Sequence, residues 1–177
     1  ILVGLSFMSS KGLTAAIVHL FNHGITKGLL FMCAGVIFLR YKTSFYKEIS
    51  GLGRIMPWTS AAFLIGGLSL IGIPGTAGFI SKWILVQAAL EQGSWLIALA
   101  ILLSSLIAVL YVWQVTEIMY FGDSSKKGAE VPVGSFSYFT IWILAGATIF
   151  FGLSTNFTLE YSSEAARVLM NEFSLTY

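Results

Sequence analysis

The chain has 177 residues, of which 56% are hydrophobic, 15% aromatic and only 10% charged, and its formal net charge is +2. A soluble domain carries roughly 25% charged residues because its exterior must be solvated, so the composition excludes an ordinary soluble domain and points to a polytopic membrane protein. It also excludes a disordered chain; the small net charge leaves no basic footprint for nucleic acid, and the lone cysteine, Cys33, excludes a disulfide scaffold.

The chain opens on an apolar stub, Ile1 to Met8, which reads as the tail of a helix that begins upstream in a longer protein. Five apolar segments follow: about Leu13 to Leu39, Pro57 to Ile73, Gly78 to Leu90, Trp95 to Phe121 and Phe136 to Leu153. A helical crossing needs roughly 20 residues, and isolated strands cannot satisfy their backbone in lipid. The expectation is therefore an all-α transmembrane bundle of about five full spans plus the N-terminal stub. Residues 1–154 form the membrane domain, and 155–177 a polar tail. In that tail Leu159, Ala166, Leu169 and Phe173 recur at helical spacing, as in a surface helix.

The second and third segments flank Gly72-Ile73-Pro74-Gly75-Thr76-Ala77-Gly78. Proline lacks a backbone donor and clashes with the preceding turn. Two readings stand: a tight hairpin between two spans, or one helix interrupted at Pro74, Gly75 and Gly78. Transporters place such interruptions where they bind ions. The polar loops carry Arg40, Lys42, Lys47, Glu48 and Arg54 on one side, and Asp123, Lys126, Lys127 and Glu130 on the other. These totals are too similar to set an orientation.

Ionisable residues inside apolar helices mark function because their burial is costly. His19, Asn22, His23, Thr26 and Lys27 fall at i, i+3, i+4, i+7 and i+8, which places them on one helical face. This polar stripe is about 12 Å long. Lys27 lies near the middle of its segment, beyond the reach of snorkelling, unless the span boundary is displaced. One reading is a proton relay of His19, His23 and Lys27. A second is interhelical structural bonding. A third, metal binding at the i, i+4 histidines, lacks the further cysteine or carboxylate ligands that zinc requires, so no metal and no cofactor is expected.

Lys82, one turn past the break, is a second intramembrane cation; its alternative is an interfacial anchor beside Trp83. Glu117, near the end of the fourth segment, is a weaker candidate. No catalytic centre appears in the sequence.

His19-Leu20-Phe21-Asn22-His23-Gly24-Ile25-Thr26-Lys27-Gly28-Leu29-Leu30-Phe31 resembles the HxxxHxxxKxxLF helix of the antiporter-like membrane subunits of respiratory complex I, Mrp-type sodium/proton antiporters and membrane-bound hydrogenases. Gly51 to Pro57 is similar to that family's loop before its next helix. Gly72 to Lys82 is similar to its G(I/L)P…(A/S)GFxSK segment. The resemblance implies a C-terminal portion of a larger helical core. It implies that Lys82 is the central lysine of a discontinuous helix, with His19, His23 and Lys27 feeding it. It further implies partners that are integral membrane subunits of one complex in a prokaryotic plasma membrane, and H⁺, with Na⁺ as a second ion. Lys82-Trp83-Ile84 departs from the Lys-Asp-Glu of one complex I subunit and looks more like the Mrp D subunit or the hydrogenase branch. The expected function is cation translocation. The alternatives are an antiporter-like subunit of a proton-pumping NADH-quinone oxidoreductase, a structural subunit, and a solute transporter with a site at the break.

Overall fold

The computed structural model describes residues 1–42, 49–122 and 134–176. The loop residues Lys47, Glu48, Asp123, Lys126, Lys127 and Glu130, and the side chains of Glu172 and Phe173, lie outside the described residues. The described residues form helices alone: α1 (Leu2–Ser6), α2 (Ser10–Tyr41), α3 (Leu52–Ile55), α4 (Pro57–Ile71), α5 (Ala77–Glu91), α6 (Trp95–Phe121), α7 (Ser135–Leu153) and α8 (Asn156–Thr176). Among them α2, α6 and α7 are long and apolar enough to cross a membrane. α4 and α5 have 15 residues each, about 22 Å at 1.5 Å per residue, and each falls short of a bilayer's roughly 30 Å core.

The helix ends follow local chemistry. The Ser9 side chain caps α2 by accepting from the Gly12 N–H at 3.1 Å. Pro57 opens α4, where its missing N–H costs nothing. Gly72, at φ +90°, ends α4 in the left-handed conformation that glycine adopts most readily. Beyond it the Ile73 N–H donates back to the Leu68 carbonyl at 3.1 Å.

Contacts along α2 fix how α4 and α5 lie. Lys11 pairs with Glu91, His19 bonds Ser81, Asn22 bonds Ala77 and Thr26 bonds Ser69. A Cβ on Gly66 would meet Leu29 and Leu30. Walking up α2 thus means walking down α5, across residues 72–76, and on down α4. The two short helices are stacked end to end against one continuous partner of 32 residues. Residues 72–76 thus join two short helices that succeed one another along α2.

α6 returns along the same pair. Ala98 packs with Leu85, Ala88 and Ala89; Ser105 meets Lys82; Val112 fills the space over Gly67; and Tyr120 covers Gly53. α7 and then α8 run antiparallel to α2. Leu144 lies at Gly28, the Phe151 ring meets the Phe21 ring at 5.0 Å, and Phe157 and Tyr161 border a small pocket with Phe21 and Ile17. α8 buries Thr158, Ser162 and Ala166, one residue per turn, as small residues that permit close approach.

Two apolar clusters lie at opposite ends of the bundle. One gathers Leu29, Cys33, Val36 and Ile37 of α2 with Leu52, Met56, Met119 and Ile141. The other joins Phe7 and Ala15 to Leu85, Ala88, Ala89 and Ala98. The break lies between them. Outside these clusters α6 exposes Leu96, Leu99, Leu102, Leu103, Leu106, Ile107 and Leu110, a surface apolar all round of the kind that faces lipid or other protein.

Candidate functional site at the helix break

Each half of the interrupted helix caps the other. The last carbonyls of α4 have no intrahelical donors, and the Lys82 ammonium of α5 fills that role. Its Nζ donates to the Leu70 carbonyl at 2.8 Å and the Ile71 carbonyl at 2.9 Å. A cation at the negative end of a helix dipole is favourable in itself. In the other direction, Ser69 Oγ of α4 accepts from the Gly78 N–H, an orphan donor in the first turn of α5, at 3.1 Å. The fit is close: a Cβ on Gly78 would run into the Ser69 carbonyl oxygen.

α2 supplies the polar wall. Asn22 and Thr26 are fully buried, at 0% and 2% exposure. The Asn22 amide donates to the Ala77 carbonyl at 2.7 Å, while its Oδ1 has no partner among the described residues. Thr26 Oγ1 and Ser69 Oγ share a hydrogen bond of 2.8 Å. His19 Nδ1 and Ser81 Oγ are 2.8 Å apart, and the His19 and His23 rings stack at 5.4 Å. Lys82 completes its coordination on α6, donating to Ser105 Oγ at 2.9 Å.

These groups border a half-open cavity of about 200 Å³ lined by His19, His23, Thr26, Ser69, Lys82 and Tyr111, among others. A single water needs roughly 10–15 Å³ by the same measure together with two to four polar partners, so the space accommodates a short chain of waters. Its walls can exchange protons through two imidazoles, an amine and several hydroxyls. The described residues include no group of three or more His, Cys, Asp or Glu able to hold a metal ion.

The structure therefore brings three of the sequence candidates, His19, His23 and Lys82, to one cavity, with Asn22 buried beside it. Pro74 and Gly75 lie in the break, and Gly78 opens α5 at the closest approach to α4. Lys27 is half-buried one turn beyond His23 and has no hydrogen-bond or ion-pair partner among the described residues. Glu117 is exposed, twelve residues along α6 from Ser105, and does not line the cavity. Sequence reasoning passed over Ser69 and Ser105. For Ser105 a signal was present in Ser104-Ser105, a hydroxyl pair in the apolar first two-thirds of α6.

The family described as "NADH:quinone oxidoreductase/Mrp antiporter, TM" matches residues 1–108, which include α1 to α5 and the whole break. The NADH-quinone oxidoreductase N subunit of Desulforudis audaxviator is 34% identical over 139 residues, covering 76% of this chain and 28% of that protein. The Na(+)/H(+) antiporter D subunit of Bacillus subtilis is 29% identical over 174 residues, covering 97% of this chain and 35% of that protein. A solved Mrp complex from a Dietzia species superposes with a TM-score of 0.86 at 25% identity, over 96% of this chain and 40% of the matched one. The chain thus spans well under half the length of each of these relatives. With its helical architecture and family match over more than half its residues, it belongs to the NADH:quinone oxidoreductase/Mrp antiporter transmembrane family, as an antiporter-like membrane subunit.

Proposed function

We propose that this chain carries a proton-translocating path of an antiporter-like subunit, in which protons step between His19, His23, Lys27 and Lys82. The observation that supports it is the placement of Lys82: an amine at the junction of a broken helix, bordering the polar cavity that His19 and His23 also line. Irregular backbone at depth is tolerated where it lines such a cavity. Thr26 and Ser69, hydrogen-bonded to each other on the same wall, extend the polar line toward Lys27. In this reading α4 and α5 together make one crossing. The neighbouring partners are other integral membrane subunits of one complex in a prokaryotic plasma membrane, and the carried ion is H⁺, with Na⁺ as a second ion. Coverage supports a role like that of the antiporter D subunit, whose match takes in 97% of this chain against 76% for the quinone oxidoreductase subunit, while identity is higher to the latter, 34% against 29%, and keeps it as the alternative.

A structural reading is favoured by one observation, the bonds from the Lys82 ammonium to two helix-terminal carbonyls. The two readings separate on Lys82→Met in the full-length subunit, assembled in its complex and reconstituted in proteoliposomes. Translocation predicts lost proton uptake with normal assembly on a native gel. Structural bonding alone predicts impaired assembly, with uptake per assembled complex retained.

A further inference from the structure

The Lys82 ammonium has three N–H groups and three oxygens within reach, the carbonyls of Leu70 and Ile71 and the hydroxyl of Ser105. The oxygens differ in what they can do. A carbonyl only accepts, whereas a serine hydroxyl both donates and accepts. When the amine is neutral it keeps two N–H donors, enough for the two carbonyls, and its new lone pair needs a donor. Ser105 alone among the three can rotate its hydroxyl hydrogen toward that lone pair. Its place on the wall supports the same role. Ser105 and Lys82 border a second, apolar groove between α5 and α6, lined by Phe79, Trp83, Leu102 and Leu106. Ser105 thus meets the amine from a groove that the histidines do not line.

We propose that Ser105 is a positioning residue for Lys82, accepting from the ammonium and donating to the free amine, so that the side chain stays at the end of α4 in both protonation states. This inference rests on the relay reading for its functional consequence, though not for the contact itself. The titratable groups that share the Lys82 cavity are His19 and His23 from α2 and Tyr111 from α6; α4 brings only the hydroxyl of Ser69, and α5 no second ionisable group. A pH effect of altering Ser105 is therefore read against two imidazoles and one phenol, with no carboxylate among the described lining residues.

The test uses the full-length subunit in its complex. Ser105→Ala removes the hydroxyl, Ser105→Thr keeps it, and Thr116→Ala removes a hydroxyl of the same helix that bonds only the Val112 carbonyl. Hydrogen bonds to charged groups are stronger than neutral ones, so Ser105→Ala weakens the protonated form more than the free one. The expected result is a roughly two- to tenfold fall in proton uptake, with the alkaline limb of its pH profile moved down by roughly one unit. Ser105→Thr restores both, and Thr116→Ala changes neither. Thermal unfolding of Ser105→Ala, Lys82→Met and the double variant should show that Ser105→Ala lowers the midpoint only when Lys82 is present. Additive midpoints, or no recovery with threonine, would overturn the proposal. If Lys82→Met transports normally while the midpoints remain non-additive, the relay reading fails and the contact stands.

Discussion

The two ends of α2 are held in different ways. From Leu29 to Ile37 it interlocks bulky aliphatic side chains with Leu52, Met56, Met119 and Ile141, all buried. From Lys11 to Thr26 it meets α5 and the break through alanines, individual hydrogen bonds and an ion pair. The first kind of contact fills space and needs no partner group. The second demands a partner for each polar atom and leaves room beside it, and the cavity lies there. Apolar packing is concentrated at one end of the helix, and the polar and titratable side chains that border the cavity at the other.

That contrast can be broken most severely at Gly78. Gly78→Val drives a branched side chain into the Ser69 backbone; overpacking costs about 1–3 kcal/mol and more where backbone is the obstacle, so little assembled subunit should survive on a native gel. Gly24, whose added Cβ would meet nothing within 4 Å, provides the control. Gly24→Ala should be neutral or stabilising by about 0.5–1 kcal/mol. Leu29→Ala attacks the aliphatic end and should lower unfolding stability by about 2–5 kcal/mol, while proton uptake per assembled complex is unchanged. Thr26→Val, nearly the same shape, removes the bond to Ser69 at a stability cost of about 1 kcal/mol. Its larger effect should be on uptake, the reverse of Leu29→Ala. Lys11→Ala should matter least: the pair with Glu91 is exposed, at 37% and 60% of the two side chains. Its loss is expected to stay below about 1 kcal/mol and to vanish in high salt.

Much of the helical layout is legible in the residues themselves. α6 is a long run, apolar but for Ser104, Ser105, Gln114, Thr116 and Glu117, between Gly93-Ser94 and Gly122, and its bounds follow from that punctuation. Pro74 and its flanking glycines mark an interruption but cannot say whether the chain doubles back, because that depends on what lies beside it. The answer comes from α2, whose successive bonds to Ser81, Ala77 and Ser69 lie far apart in sequence. Helical spacing likewise puts His19, Asn22, His23, Thr26 and Lys27 on one face, yet it does not reveal that Asn22 and Thr26 are fully enclosed while Lys27 is left without a bonding partner among the described residues. The reach of Ser69 and Ser105 was illegible for another reason. A serine in an apolar helix usually bonds its own backbone, as Ser104 does with the Ile101 carbonyl; the Ser104-Ser105 pair marks a polar spot in α6, but nothing local says which of the two reaches across, and Ser69 has no such mark.

The break in α4–α5 is not the only one at its level. α7 ends at Leu153 and α8 starts at Asn156, and Gly152 is pressed against the Gly75 carbonyl and Thr76 so closely that a Cβ there would collide with backbone. Two discontinuities therefore nest in one cross-section of the bundle, and among the described residues only α2 and α6 pass through it unbroken. Mechanically this is a waist with two stiff struts and two pin joints. Any rocking of one end of the bundle against the other must flex α2 near Asn22–Thr26 and α6 near Ser105, the same stretches that carry the hydrogen bonds of the site. Because the pins are seated on each other, the end of α7 at Gly152 cannot shift toward the break without pressing on the backbone of Gly75 and Thr76, just ahead of α5.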